Sequence, residues 1–360
     1  MNTLQQMVER GHEYVCFHQD PASGLRAIIA VHDTTLGPGF GGARRWHYAT
    51  QAEALHDVLR LSEGMTFKSA VAGLPMGGGK AVIMLPRPGH PPSEEEARAM
   101  GRFVHRLGGM YISAEDVGLS PQYIDWMAAE TKWVVGGITR VPGGDPSPYT
   151  ARGVVNAMRA ALTHTGRPAD FSGVTVAIQG AGNVGTSVAA ILSEHHAKIL
   201  ISDINEEKVR RAAQHSGATI VDPGDILTAR CDILAPCALG GVIDAAIISK
   251  LRCDIICGGA NNILDDYDED GVALKGRGIV YVPDFVANAG GLIHLAGIYV
   301  DMSEEGRQQK IAEIEPTVLQ ILRDAESAPS TFAAAVALAR QRIAEDAKVH
   351  AGTRVSTGRP

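Results

Sequence analysis

No apolar run in this chain approaches the length needed to span a bilayer, and its first residues, MNTLQQMVERGHEY, lack the basic-then-apolar layout of a secretory signal. A basic excess is missing too: a net charge of −7 argues against nucleic acid as a partner, because a phosphate-binding surface needs positive charge. The five cysteines (Cys16, Cys231, Cys237, Cys253 and Cys257) include no C-x-x-C pair, so they are expected to be reduced, buried small side chains in a cytoplasmic protein. Thirteen histidines show neither H-E-x-x-H nor H-x-E, and no metal site is expected. Internal repeats and low-complexity segments are absent. What is present is a chain of 360 residues, 45% hydrophobic and 20% charged, the composition of a soluble globular protein long enough for two domains.

The segment GMTFKSAVAGLPMGGGK, Gly64 to Lys80, is dense in glycine and ends in lysine. It fails as a phosphate loop, since Leu74 stands where the leading glycine belongs and Ala81 where the magnesium-holding hydroxyl belongs. It reads instead as two lysines, Lys68 and Lys80, set around a glycine-packed turn.

Along the N-terminal part, YVCFHQDPASGLRAIIAVHD predicts two strands joined by a turn at Asp20–Gly24. AEALHDVLRLSEGM carries a helical apolar stripe that Gly64 is placed to end. AVIML predicts a buried strand, SEEEARAMGRFVHRL a helix capped by Ser93, and YISAED a strand delivering Glu115 and Asp116. The Gly/Pro-dense stretch 135–150 marks a boundary. Strand and helix patterns alternate beyond it, with strands at VTVAIQ, KILISD, CDILAP, CDIICGG and GIVYVPD, as in a doubly wound parallel sheet. TFAAAVALARQRIAEDAKVH predicts a last helix, with a loose tail after about residue 350.

Gly180, Gly182 and Gly185 spell G-x-G-x-x-G between a β-branched run and a helical pattern, the context that a dinucleotide fingerprint requires. The turn, with Asn183 and Val184, would seat a pyrophosphate on the helix N-terminus. Asp203, about 20 residues on, stands where a ribose-binding acid belongs and would favour NAD over NADP, although it could also serve as a helix N-cap.

The two lysines and the acidic pair then acquire a chemistry. One ammonium can hold a substrate carboxylate, a second amine can exchange protons with a carbonyl oxygen or a water, and a carboxylate can deprotonate an amine. Together these roles describe oxidative deamination of an α-amino acid. VHDTTLGPGFGGARRW, GMTFKSAVAGLPMGGGKAVI, ISAEDVG, DPSPYTARGV, QGAGNVG, APCALGG, GGANN and PDFVANAGG also resemble the amino-acid dehydrogenase superfamily, specifically its leucine/valine/phenylalanine branch. The similarity runs from about residue 15 to 300 in the family's order.

The resemblance implies an α/β fold of two domains: a catalytic and oligomerisation domain over 1–140, rejoined by the helix at about 331–350, and a Rossmann-like NAD domain over 147–328. It implies that Lys68, with the Gly41–Gly42 backbone, binds the substrate carboxylate, that Lys80 is the catalytic amine, and that Asp116 is the acid/base. From the residues alone, Glu115 could take the role of Asp116. By the same resemblance Asn262 contacts substrate, while Thr150, Ala235, Cys237, Ala260, Asn261 and Asn288 line the cofactor. Phe40, Ala114, Leu292 and Leu295 would surround the substrate side chain. All four are apolar, which disfavours acidic amino acids, and Phe40 and Leu292 are bulky for a roomy aromatic pocket, which points to an aliphatic L-amino acid exchanged with its 2-oxo acid and ammonia. A phenylalanine-type enzyme is the alternative. A silent NAD-binding regulatory homologue is disfavoured because Lys68, Lys80 and Asp116 are all present. The family further implies a homo-oligomer, dimer or octamer.

Overall fold

The computed structural model describes residues 2–141 and 143–356. The chain divides into two compact units, Met1–Asp145 with Leu295–Met302 and Ala339–Pro360, and Pro146–His294 with Ser303–Leu338. No helix among the described residues is long and apolar enough to cross a membrane.

The first unit begins with α1 (Thr3–Arg10), β1 (Tyr14–Asp20), β2 (Leu25–Asp33), β3 (Gly39–Trp46) and α2 (Gln51–Val71). It continues through β4 (Gly77–Met84), α3 (Glu94–Arg106), β5 (Tyr111–Glu115) and α4 (Pro121–Ala128). Thr50, Ser93 and Ser120 cap α2, α3 and α4, each side chain accepting from a backbone N–H three residues on. The five strands form one sheet in the order β1-β2-β4-β3-β5. β2 is antiparallel to β1 and β4, whereas β3 runs parallel to β4 and β5.

Alternation along the strands divides the core. Ile28, Ala30 and Val82 pack with Ala54, Leu55, Val58 and Leu59 of α2. On the opposite face, Ala27, Ile29, Ala81 and Ile83 pack with Met100 and Phe103 of α3 and with Tyr123 and Met127 of α4. Gly78 and Lys80 therefore share the α2 face with Val82.

Two expectations for this region change. Gly64 does not end α2. The helix runs on to Val71 and carries Lys68, because burial of Ser62, Thr66, Ser69 and Ala70 outweighs a penalty of about 1 kcal/mol for one mid-helix glycine. The glycines before Lys80 are not a turn but the first half of β4, while the real turn is at Gly73, with φ of 61°. Gly78 is glycine because α2 lies on it: a Cβ there would stand 2.0 Å from Thr66 Oγ1 and 2.3 Å from Thr66 N.

The second unit opens with α5 (Ser147–His164), β6 (Thr175–Gln179), α6 (Asn183–Glu194), β7 (Lys198–Ser202), α7 (Glu206–Ser216) and β8 (Thr219–Ile220). A 3₁₀ turn at Ile226–Thr228 leads to β9 (Ile233–Pro236), α8 (Ala245–Ile248), β10 (Ile255–Ile256), α9 (Glu269–Gly276) and β11 (Val280–Tyr281). Then come α10 (Asp284–Ala287), α11 (Gly290–Tyr299), α12 (Glu304–Ala312), α13 (Ile314–Asp324) and α14 (Thr331–Ser356). The sheet order is β11-β10-β9-β6-β7-β8 and every pairing is parallel. Counted within the unit this is 3-2-1-4-5-6 read from β8, the doubly wound Rossmann order, with its switch point between β6 and β9.

α11 and α14 each begin in the second unit and end in the first. The tail expected to be loose after about residue 350 is helical to Ser356, and its last four residues lie outside the described residues.

Gly78→Ala should lower stability by about 1–3 kcal/mol, since α2 must lift from β4 to admit the methyl group. Urea unfolding followed by circular dichroism measures this, and an unchanged midpoint would contradict the packing described.

Candidate active site

Within the first unit, Lys80 extends from the interior strand β4 and Asp116 follows the last residue of β5, with β3 between them. Lys80 Nζ nonetheless lies 2.6 Å from Asp116 Oδ2. Gly42 makes the crossing possible. A Cβ at that position would stand 2.8 Å from Asp116 Cβ and 2.5 Å from the Glu115 carbonyl oxygen, so any side chain on β3 there would push Asp116 away. Gly41 is packed as tightly, with a Cβ placed 1.9 Å from the Gly79 carbonyl, and its own carbonyl accepts from Tyr111 Oη at 2.6 Å.

The pair is shielded, with side-chain exposures of 7% for Lys80 and 18% for Asp116. Burial pushes the Asp116 carboxyl up, but the Lys80 ammonium and then the Arg44 guanidinium outweigh it and bring the group down to about 2. Arg44 Nε lies 3.5 Å from the same oxygen. Glu115 titrates the other way: burial, then Asp145 and Asp116, raise it. Of the two neighbouring acids, Asp116 is therefore the one held ionised against cations, which distinguishes it from Glu115. Arg45, next to Arg44, faces the opposite side of β3, where it pairs with Glu96 at 2.7 Å.

Lys68 stands half-buried on α2, two residues beyond the Thr66 that packs on Gly78. Phe40 and Ala114 are buried on β3 and β5. Phe40 meets Tyr299 edge-on at 6.4 Å. Leu295, also buried, belongs to this unit, where its Cδ2 would be 3.0 Å from a Cβ at Gly143.

In the second unit, the glycine turn follows β6 at the switch point. Gly180 adopts φ of 101°, and a Cβ at Gly185 would fall 2.0 Å from the Gly180 carbonyl oxygen, closing α6 onto the strand. A Cβ at Gly182 would meet nothing within 4 Å, and no side chain caps α6 there. This is the cradle that a pyrophosphate fits, with helix N–H groups beside open space. Val184 Cγ1 and Cys237 Sγ both lie against Gly259, at 2.6 and 3.6 Å from its Cβ position, so the ends of β6, β9 and β10 converge. Ala235 is buried in β9, and burial raises the Cys237 thiol to about 11.

Asp203 Oδ2 accepts from Ala181 N at 2.7 Å and Oδ1 from Asn205 N at 2.8 Å. It is not the cap of α7, a role taken by Asn205, which accepts from Glu207 N and Lys208 N. Asn288 Nδ2 donates to Asn261 Oδ1 at 2.7 Å and to the Ala260 carbonyl at 3.2 Å. Thr150 Oγ1 donates to the Pro146 carbonyl at 3.1 Å, and Asn262 takes a left-handed φ of 54°. Leu292 is buried on α11 in this unit.

The structure thus joins Lys80, Asp116, Gly41 and Gly42 in one cluster, and the glycine turn, Val184 and Cys237 in another. Sequence reasoning missed Arg44. Its signal was the pair Arg44–Arg45 on a strand, where adjacent residues must face opposite ways. Among the described residues there is no group of three His, Cys, Asp or Glu able to hold a metal ion.

Comparison with known proteins agrees with both units. The profile described as "Glu/Leu/Phe/Val dehydrogenase, dimerisation domain" matches residues 12–133, and "Glutamate/Leucine/Phenylalanine/Valine dehydrogenase" matches 145–205 and 200–356. The chain is 44% identical to leucine dehydrogenase of Geobacillus stearothermophilus over 347 residues, 95% of this chain and 94% of that protein. It is 41% identical to valine dehydrogenase of Streptomyces virginiae over 352 residues, 96% and 97% of the two chains. The crystal structure of L-tryptophan dehydrogenase from Nostoc punctiforme superposes with a TM-score of 0.84 at 38% identity, covering 96% of this chain and 99% of that one. The chain belongs to the glutamate/leucine/phenylalanine/valine dehydrogenase family.

Because Asp116 titrates below its unfolded value of about 3.9, it contributes stability above about pH 4 that is lost as pH falls towards about 2. Asp116→Asn should therefore be less stable at neutral pH, with Lys80 and Arg44 left facing each other, yet show a flatter acid slope. Unfolding midpoints across that range test it, and parallel slopes in the two proteins would refute it.

Proposed function

We propose that the chain catalyses the reversible oxidative deamination of an apolar, leucine- or valine-like L-amino acid to its 2-oxo acid and ammonia, with NAD as hydride acceptor. The observation that carries this reading is the Lys80–Asp116 contact of 2.6 Å, formed across β3 where Gly42 leaves it bare, in a chain of this family. Bound at the glycine turn, the nicotinamide dinucleotide supplies the acceptor for the Cα hydride. Asp203 would meet its ribose hydroxyls and repel a 2′-phosphate, which supports NAD over NADP.

The residues of the first unit do the proton work. Lys68, with the backbone of Gly41 and Gly42, holds the substrate carboxylate. The substrate ammonium then approaches Asp116, where Lys80 and Arg44 already stand. Crowding a third cation against Lys80 and Arg44 favours loss of a proton from the substrate nitrogen, and Asp116 receives it as Lys80, its nearest counter-ion, turns away. Once the iminium has formed, Lys80 steers a water onto its carbon and stabilises the carbinolamine oxygen; Asp116 returns its proton to the nitrogen, the C–N bond breaks, and ammonia leaves the 2-oxo acid behind. Phe40, Ala114 and Leu295 of the first unit are all apolar and buried, so a side-chain carboxylate beside them would lose its hydration without gaining a partner.

An aromatic substrate is the second reading, favoured by the 40% identity to L-tryptophan dehydrogenase of Nostoc punctiforme. A few methylenes in an apolar pocket separate substrates by only about 1–3 kcal/mol. We further propose a homo-oligomer formed through the first unit, supported by the matched dimerisation domain and by exposed Tyr14 and Phe17 on the edge strand β1.

NADH absorbance should rise with L-leucine or L-valine and NAD⁺, more weakly with L-phenylalanine or L-tryptophan, and hardly with L-glutamate or NADP⁺. Lys80→Met should lower kcat by at least about a hundredfold while NADH binding, followed by fluorescence, is retained. Undiminished turnover in that variant would refute the role of Lys80.

A further inference from the structure

The Asp57 cluster that holds Arg44 has no part in the chemistry described so far, and Arg44 has entered it only as a fixed charge. Arg44 Nη1 pairs with Asp57 Oδ2 at 3.0 Å. Asp57, on α2, also accepts from Tyr48 Oη at 2.7 Å and pairs with Arg60 at 3.2 Å. One end of the Arg44 guanidinium is thus clamped to the helix, and the other end, Nε, faces Asp116 Oδ2 at 3.5 Å. That spacing makes an ion pair but no hydrogen bond. Arg44 Nε is buried without a hydrogen-bonding partner, and buried donors of this kind require an explanation.

We propose that Arg44, anchored by Asp57, is a positioning residue that takes over the Asp116 carboxylate when Lys80 turns from it to the reacting water. The proposal rests on the reading of Lys80 and Asp116 as the proton-transfer pair. In that cycle Lys80 must change its charge or its partner, and a lone buried Asp116 would then lose its counter-ion. Arginine does not titrate in the working range, so its charge persists through the cycle. Its planar fork reaches both acids at once, which a lysine cannot do. A small shift of Oδ2 towards Nε would complete the missing hydrogen bond.

The other titratable groups around Asp116 do not supply this function. Burial raises Tyr48 and Tyr111 beyond the working range, and Glu115 carries the same sign of charge as Asp116. Lys68, on the same helix as Asp57, is assigned to the substrate carboxylate.

The test is steady-state kinetics across pH on full-length variants whose fold is checked by circular dichroism. Arg44→Gln should lower kcat about tenfold or more while the amino-acid KM changes less than about threefold, and should move the acidic limb of the kcat profile up by about one pH unit. Arg44→Lys, which keeps the charge, should restore the limb and part of kcat, and Asp57→Asn should fall in between. An unmoved limb in Arg44→Gln, or equal losses in Arg44→Gln and Arg44→Lys with KM rising in step, overturns the proposal. Asp116→Asn measured alongside separates the two readings. Retained activity there removes the acid/base role itself, whereas lost activity there with an unmoved limb in Arg44→Gln removes only the role of Arg44.

Discussion

An ammonium and a carboxylate, one from β4 and one from beyond β5, touch across an intervening strand, and most of the first unit serves that contact. Two strands away is too far for a pair to form over ordinary side chains. Gly42 removes the obstruction, Gly41 lets β3 approach β4 closely, and Gly78 lets α2 sit directly on β4. The glycines weaken the sheet locally, since each gives up side-chain packing and backbone entropy. That cost is offset by two well-filled cores on either face, one built on α2 and the other on α3 and α4.

The second unit solves a different problem with the same residue. Its three fingerprint glycines serve three separate needs: a positive φ at Gly180, open space at Gly182, and contact with the Gly180 carbonyl at Gly185. The position of Asp203 adds to this. Its carboxylate accepts from Ala181 N, so it stiffens the glycine turn. The family relationship, at 41–44% identity to leucine and valine dehydrogenases, fits this division of labour between the units.

Much of this was legible in the sequence because it is local. Ser93 followed by three glutamates announces α3, and β-branched runs ahead of a glycine fingerprint announce β6. What was not legible depended on neighbours distant in sequence. Gly64 reads as a helix stop until one sees that the residues after it are buried against β4, and the GGG before Lys80 reads as a turn until α2 is placed on Gly78. Asp203 reads on paper as a helix N-cap as readily as a ribose-binding acid, and only the folded loop shows Asn205 capping α7 instead. Arg44 carried only the signal of a paired arginine on a strand, inside a motif that assigned it no role. Its importance lies in a 3.5 Å approach to a residue more than 70 positions away, which periodicity does not encode.

The glycine frame also limits how this catalyst can diversify. A methyl group at Gly41, Gly42 or Gly78 would collide with backbone or with a packed helix, so substitution at these positions costs stability or displaces the Lys80–Asp116 contact. Under the proposed function, new substrate preferences would have to be written in the few side chains that already project from the neighbouring strands, such as Phe40 and Ala114.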